Sequence, residues 1–239
     1  MPVDGLRKTR ERLVEVGGWG ERTFEALPEV SHRHEVANSV TGGIGLLGSL
    51  IALAMLVDLG TRMDSTAALV SGTIYGLTLV FSYTATTVYH SLRCEIRKAR
   101  WRVADHCAVY VLIAGSYTPF AIGGIGGQAG WIMVAAVWAL AILGIAFKLK
   151  FRFRFPGTSV AIYLVMGWLG VFMIRGIIVN VGLEAVILTA AGGLSFTIGT
   201  IFFGAKRIPY HHAVWHVLVI MGCALQYMAI IGYVLPPVG

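Results

Sequence analysis

The sequence predicts an all-α integral membrane protein of seven transmembrane helices, with the N-terminus cytoplasmic and the C-terminus outside. Three observations lead there. Hydrophobic residues make up 56% of the 239 and charged residues only 13%, whereas soluble domains carry about 25% charged residues. The apolar residues fall into seven runs, and about 20 helical residues cross a hydrocarbon core about 30 Å thick. The basic residues gather in alternate connections between those runs. The runs are continuously apolar rather than alternating, which favours helices over a transmembrane barrel.

Taken in order, residues 1–35 form a tail with both charge signs and no hydrophobic signal-peptide segment. The tail is expected to be cytoplasmic, and residues 36–235 the membrane domain. The first run covers residues 36–57 and the second 67–90. Gly72 and Gly76 make a GxxxG in the second run, read as a close helix-packing face. The third run covers 103–122 and the fourth 129–147. The connection that follows, "KLKFRFRFPG", alternates basic and aromatic residues. An edge strand is one reading of it. An interfacial segment, with rings at headgroup level and cations toward anionic lipid headgroups, is the preferred one. The fifth run covers 159–179, the sixth 183–204 and the seventh 212–234.

Lysine and arginine set the orientation. Of the 19, 17 lie in the N-terminal tail and in the connections after the second, fourth and sixth runs. Only Arg62 and Arg175 lie on the other side. The formal charge of +7 is thus dispersed between spans, not gathered on a soluble surface, which argues against nucleic acid as a partner. The three cysteines, Cys94, Cys107 and Cys223, form no CxxC and no disulfide framework. The expected location is the plasma (inner) membrane.

On this topology all seven histidines fall at the cytoplasmic end: His32, His34, His90, His106, His211, His212 and His216. Glu35 and Asp105 join them. Thr86 and His90 are four residues apart, as are His212 and His216, so each pair shares a helix face. His211 is turned about 100° from that pair. A lone HxxxH is a weak signal, and single interfacial histidines or carboxylates serve as helix-end charges. Ionisable groups in spans are costly, however, and a cluster of them marks a functional site. Three imidazoles from two helices, with a fourth position open, suit a catalytic zinc site. Zinc polarises a carbonyl oxygen and lowers the pKa of a bound water to about 7. Asp105 can then act as general base, or hold a ligand imidazole from outside. Thr86 can hydrogen-bond the water or substrate.

The stretches "EVANSVTGGIG", "TTVYHS", "RVADHCAVYVLIAGSYTPF" and "HHAVWHVLV" resemble the haemolysin III family. That family is the bacterial branch of the progestin and adipoQ receptor family and is similar to alkaline ceramidases. The resemblance runs from about Glu35 onward. It implies a seven-helix fold with the N-terminus inside and three histidines binding Zn²⁺ near the cytoplasmic face. Carried over, the metal ligands are His90, His212 and His216. Asp105 matches an aspartate that contacts the metal's water, and Thr86 stands where the family has serine. In the family a histidine often follows the helix-one threonine; here Gly42 follows Thr41.

The leading expectation is a zinc-dependent hydrolase of a membrane-lipid amide or ester at the cytoplasmic leaflet, with Asp105 and Thr86 as catalytic residues. The alternative is a non-enzymatic receptor or membrane-homeostasis sensor, with lipid as ligand and a structural zinc. A channel-forming haemolysin is third, because the spans offer few charged residues to line a pore. Another divalent metal in place of zinc is left open.

Overall fold

The computed structural model describes residues 30–235. The expected cytoplasmic tail therefore lies outside the described residues up to position 29. Among the described residues, seven helices are long and apolar enough to cross a membrane. They are α1 (His32–Arg62), α2 (Thr66–Ser91), α3 (Glu95–Ile125), α4 (Gly127–Phe151), α5 (Gly157–Asn180), α6 (Leu183–Gly204) and α7 (His211–Val234). Each contains one of the predicted runs. α1 starts at His32 because Ser31 caps it, its Oγ accepting the His34 N–H at 3.4 Å. His32 to Glu35, read as the end of the tail, are therefore helical. Ser65 caps α2 in the same way through Ala68 N–H at 3.2 Å.

Short connections make sequential helices neighbours, and α7 returns to pack on α1, closing the bundle. α3 is the central helix: 67% of its most apolar window is buried, against 17% for α5 and α6. The peripheral helices turn Ile44, Ile51, Leu143, Phe172 and Ile201 outward. In water such a belt would be costly; against lipid tails it is matched.

The GxxxG of α2 does pack a helix. A Cβ on Gly76 would lie 2.6 Å from Leu53 Cδ1 and 3.0 Å from Leu53 Cα. A side chain there would push α1 away.

Two helices depart from regular geometry. α3 passes Pro119 and widens into a π turn over Phe120–Ile125. α5 tightens to 3₁₀ over Leu169–Met173. There the Tyr117 hydroxyl takes the Gly170 N–H at 2.6 Å and reaches the Met166 and Gly167 carbonyls at 2.9 and 2.8 Å. One side chain thus satisfies backbone groups that the break releases.

The basic–aromatic connection is not a strand, and half its cations turn inward. α4 runs through Phe151 and helix resumes at Pro156. Lys148 is only 1% exposed, with its Nζ 3.4 Å from Ser159 Oγ and 4.1 Å from the Phe153 ring centroid. Arg152 is also buried. Arg102 of α3 covers the same ring at 3.7 Å. Helical periodicity explains the departure, because Lys148 lies on the buried face of α4 with Val137, Ala141 and Gly144. Lys150 and Arg154 remain exposed, as expected.

Candidate metal centre

The C-terminal end of α2 and the N-terminal ends of α1, α3 and α7 meet at one end of the bundle. His90 lies in the last turn of α2 and is buried, as is His216 in α7. His212, one turn before His216, is half-buried. One ligand-capable atom from each of the three lies within 4.8 Å of the others. The ring centroids are 5.0 Å apart for His90–His212, 5.2 Å for His90–His216 and 4.7 Å for His212–His216.

The ring nitrogens differ in their partners. His90 Nδ1 lies 2.8 Å from Glu35 Oε2, and the other Glu35 oxygen lies 3.0 Å from Lys98 Nζ. His216 Nδ1 lies 2.9 Å from Thr41 Oγ1. In contrast, His90 Nε2 and His212 Nε2 are buried with no hydrogen-bond partner among the described residues. A buried polar nitrogen without a partner costs roughly 1–3 kcal/mol. Two of them, facing a common point with a third imidazole, fit a bound divalent cation. The donor set is all imidazole nitrogen, which suits zinc, copper, iron or nickel better than magnesium or calcium.

Thr86, one turn before His90, donates its hydroxyl to Asp105 Oδ1 at 2.5 Å. A hydroxyl has a single proton, and here Thr86 gives it to Asp105. Asp105 has His106, its chain neighbour, as the imidazole beside it, at 3.5 Å. The part of a carboxylate holding a ligand imidazole from outside falls to Glu35 for His90. The group of mutually close donor atoms comprises the three histidines, without Asp105.

Thr86, Asp105, His212 and His216 line a cavity of about 220 Å³. Its walls are largely apolar, with Leu112, Phe120, Ile177 and Val219 among them.

The sequence matches the model of the family described as haemolysin-III related over residues 30–227. The chain belongs to that family. It is 37% identical over 204 residues to hemolysin-3 of Bacillus cereus, covering 85% of this chain and 93% of that protein. It is 38% identical over 201 residues to the hemolysin-3 homolog of Bacillus subtilis (strain 168), covering 84% and 94%. Human monocyte to macrophage differentiation factor is 26% identical over 209 residues, covering 82% of this chain and 83% of that protein. That more distant likeness supports the wider progestin and adipoQ receptor branch.

Within this haemolysin III chain His211, His34 and His106 make other contacts. His211 directs Nδ1 to the Phe202 carbonyl at 3.1 Å, with its ring 6.2 Å from that of His212. His34 packs edge-on against Tyr210 at 4.5 Å. His106 Nδ1 donates to the Arg102 carbonyl at 2.9 Å. Gly42, where the family often has histidine, lies against α2: a Cβ there would be 3.0 Å from Thr87 Oγ1 and 3.3 Å from Thr86 Cγ2.

Sequence reasoning missed the contacts of Glu35, Thr41 and Lys98. The signal for Glu35 was present, as a carboxylate at the head of an apolar span. Its partner was not legible, because 55 residues separate it from His90. Thr41 gave no signal beyond its place in the quoted family stretch.

Proposed function

We propose that this multi-pass membrane protein is a metal-dependent hydrolase of a membrane-lipid amide or ester, working at the cytoplasmic leaflet of the plasma membrane. His90, His212 and His216 would hold Zn²⁺. The observation that carries the reading is the joining of two features. His212 and His216, two of the three clustered histidines, and the Thr86–Asp105 pair line the same apolar-walled cavity. Such a space takes an acyl chain and brings its polar end to titratable groups.

A bound zinc ion polarises a carbonyl oxygen and acidifies water. The chain's own residues do the rest. Thr86 donates to Asp105 Oδ1 and so fixes the carboxylate, leaving Oδ2 as the oxygen that receives a proton from the attacking water. The apolar walls exclude bulk water and orient the lipid. The cytoplasmic assignment of this end rests on the 17-to-2 split of lysine and arginine across the spans.

The sensor alternative needs a closed site of four protein ligands. Asp105 is the candidate fourth, and its absence from the group of mutually close donor atoms favours an open position. The test is fatty-acid release from a panel of ceramides and glycerolipids by protein purified in detergent. Release that stops with chelator, and falls about 10²–10⁴-fold in Asp105→Asn, is expected. No release by the native protein, or release equal in Asp105→Asn, would refute the hydrolase reading.

A further inference from the structure

We infer that α1, which supplies none of the three histidines, sets the metal affinity of the site through two positioning residues, Glu35 and Thr41. The inference rests on the metal reading above and deepens it.

The argument starts from proton counting. Glu35 Oε1 is 3.0 Å from the Lys98 ammonium and Oε2 is 2.8 Å from His90 Nδ1. A carboxylate paired with an ammonium offers only acceptors. His90 Nδ1 must therefore carry the hydrogen. In a neutral imidazole the other nitrogen then holds the lone pair. That other nitrogen, Nε2, is the buried atom with no partner among the described residues.

Thr41 reaches the same result by a different route. Its hydroxyl lies 2.9 Å from the Ala37 carbonyl and 3.1 Å from the Asn38 carbonyl. This is the back-bonding of a helical threonine, and it uses the one hydroxyl proton. The oxygen can then only accept at His216 Nδ1, 2.9 Å away. His216 is thus also the Nδ1–H tautomer, with the Nε2 lone pair free.

Two acceptors of different chemistry on one helix therefore select the same tautomer in two ligands from two other helices. The carboxylate does more than orient. Hydrogen bonding to Glu35 makes the His90 ring a stronger donor to a cation, and the added negative charge lies close behind it. The hydroxyl of Thr41 orients the ring without adding charge. The two residues should therefore contribute unequally, Glu35 more than Thr41. A purely structural role, tying α1 to α2, α3 and α7, would instead lower the stability of the metal-free protein and leave affinity unchanged.

The test uses the full-length protein in detergent. Zinc affinity is measured by competition with a chromophoric chelator, and the visible bands of the cobalt-substituted protein are recorded. Glu35→Ala is expected to weaken zinc about 10–100-fold and to shift the cobalt bands. Glu35→Gln keeps an acceptor for Nδ1–H but loses the charge, and should fall between Glu35→Ala and the native protein. Thr41→Val should lose less than Glu35→Ala, and Thr41→Ser should restore native affinity. If Glu35→Ala does not fold, Glu35→Gln and the two Thr41 variants carry the comparison. Native affinity and native cobalt bands in Glu35→Gln and Thr41→Val, with only the metal-free melting temperature lowered, would overturn the inference. A native protein that binds no zinc overturns the metal reading instead, a different failure seen before any variant is made.

Discussion

Two buried clusters of ionisable side chains lie at the same end of the bundle, and they differ in what they lack. In one, Arg102 and Lys148 both lie over one ring, 3.7 and 4.1 Å from the centroid of Phe153, and Lys148 Nζ has a hydroxyl at 3.4 Å. In the other, His90 and His212 keep an Nε2 without a partner, while Glu35 and Thr41 occupy the far nitrogens of His90 and His216. The first cluster is rich in cations and carries its own π faces, so it is a way of burying charge in an apolar bundle. The second gathers imidazole nitrogens with a carboxylate behind His90 and a hydroxyl behind His216, the arrangement proposed above to hold a cation. Burial of charge alone does not distinguish the two clusters; the unpartnered imidazole nitrogens do.

That contrast can be broken from either side. The largest effect should come from His216→Ala or His212→Ala, which removes one of three donors and should abolish stoichiometric metal binding, measured by elemental analysis. Next comes Thr86→Val. It leaves all three histidines but frees Asp105, so metal should stay near native content while lipid hydrolysis falls, about tenfold or more if the 2.5 Å hydrogen bond orients the base. Equal losses of metal and activity would contradict the separation of the two roles. Lys148→Met should leave metal content unchanged and shift stability by no more than about 2 kcal/mol, the scale of a desolvated cation–π contact. A thermal-unfolding series with and without chelator checks both parts. The smallest effect is expected from His211→Ala, whose ring is turned to the Phe202 carbonyl. Loss of metal there would mean that the ligand set is misassigned.

The legibility of the molecule divides along the same line. Hydropathy alone located the seven spans, because crossing lipid imposes length and composition on each helix independently. His212 and His216 were legible as a pair because helical spacing is local, and so were Thr86 and His90. That α2 and α7 bring those pairs to the same end of the bundle followed from the charge-derived topology, while the choice of His90, His212 and His216 as ligands came from the family resemblance. The role of Glu35 was not legible, because it depends on the register of α1 against α2 and α3. The inward turn of Lys148 was misread for a related reason. The segment "KLKFRFRFPG" alternates like a surface strand, yet α4 continues through Phe151 and helical periodicity, not alternation, decides where each side chain goes.

The central claim is that His90, His212 and His216 hold a divalent metal. Elemental analysis of the purified native chain beside the double variant His212→Ala/His216→Ala tests it most directly. The account predicts about one zinc per native chain, as a single three-histidine site would hold, and essentially none in the variant. Equal metal content in the two proteins would contradict it.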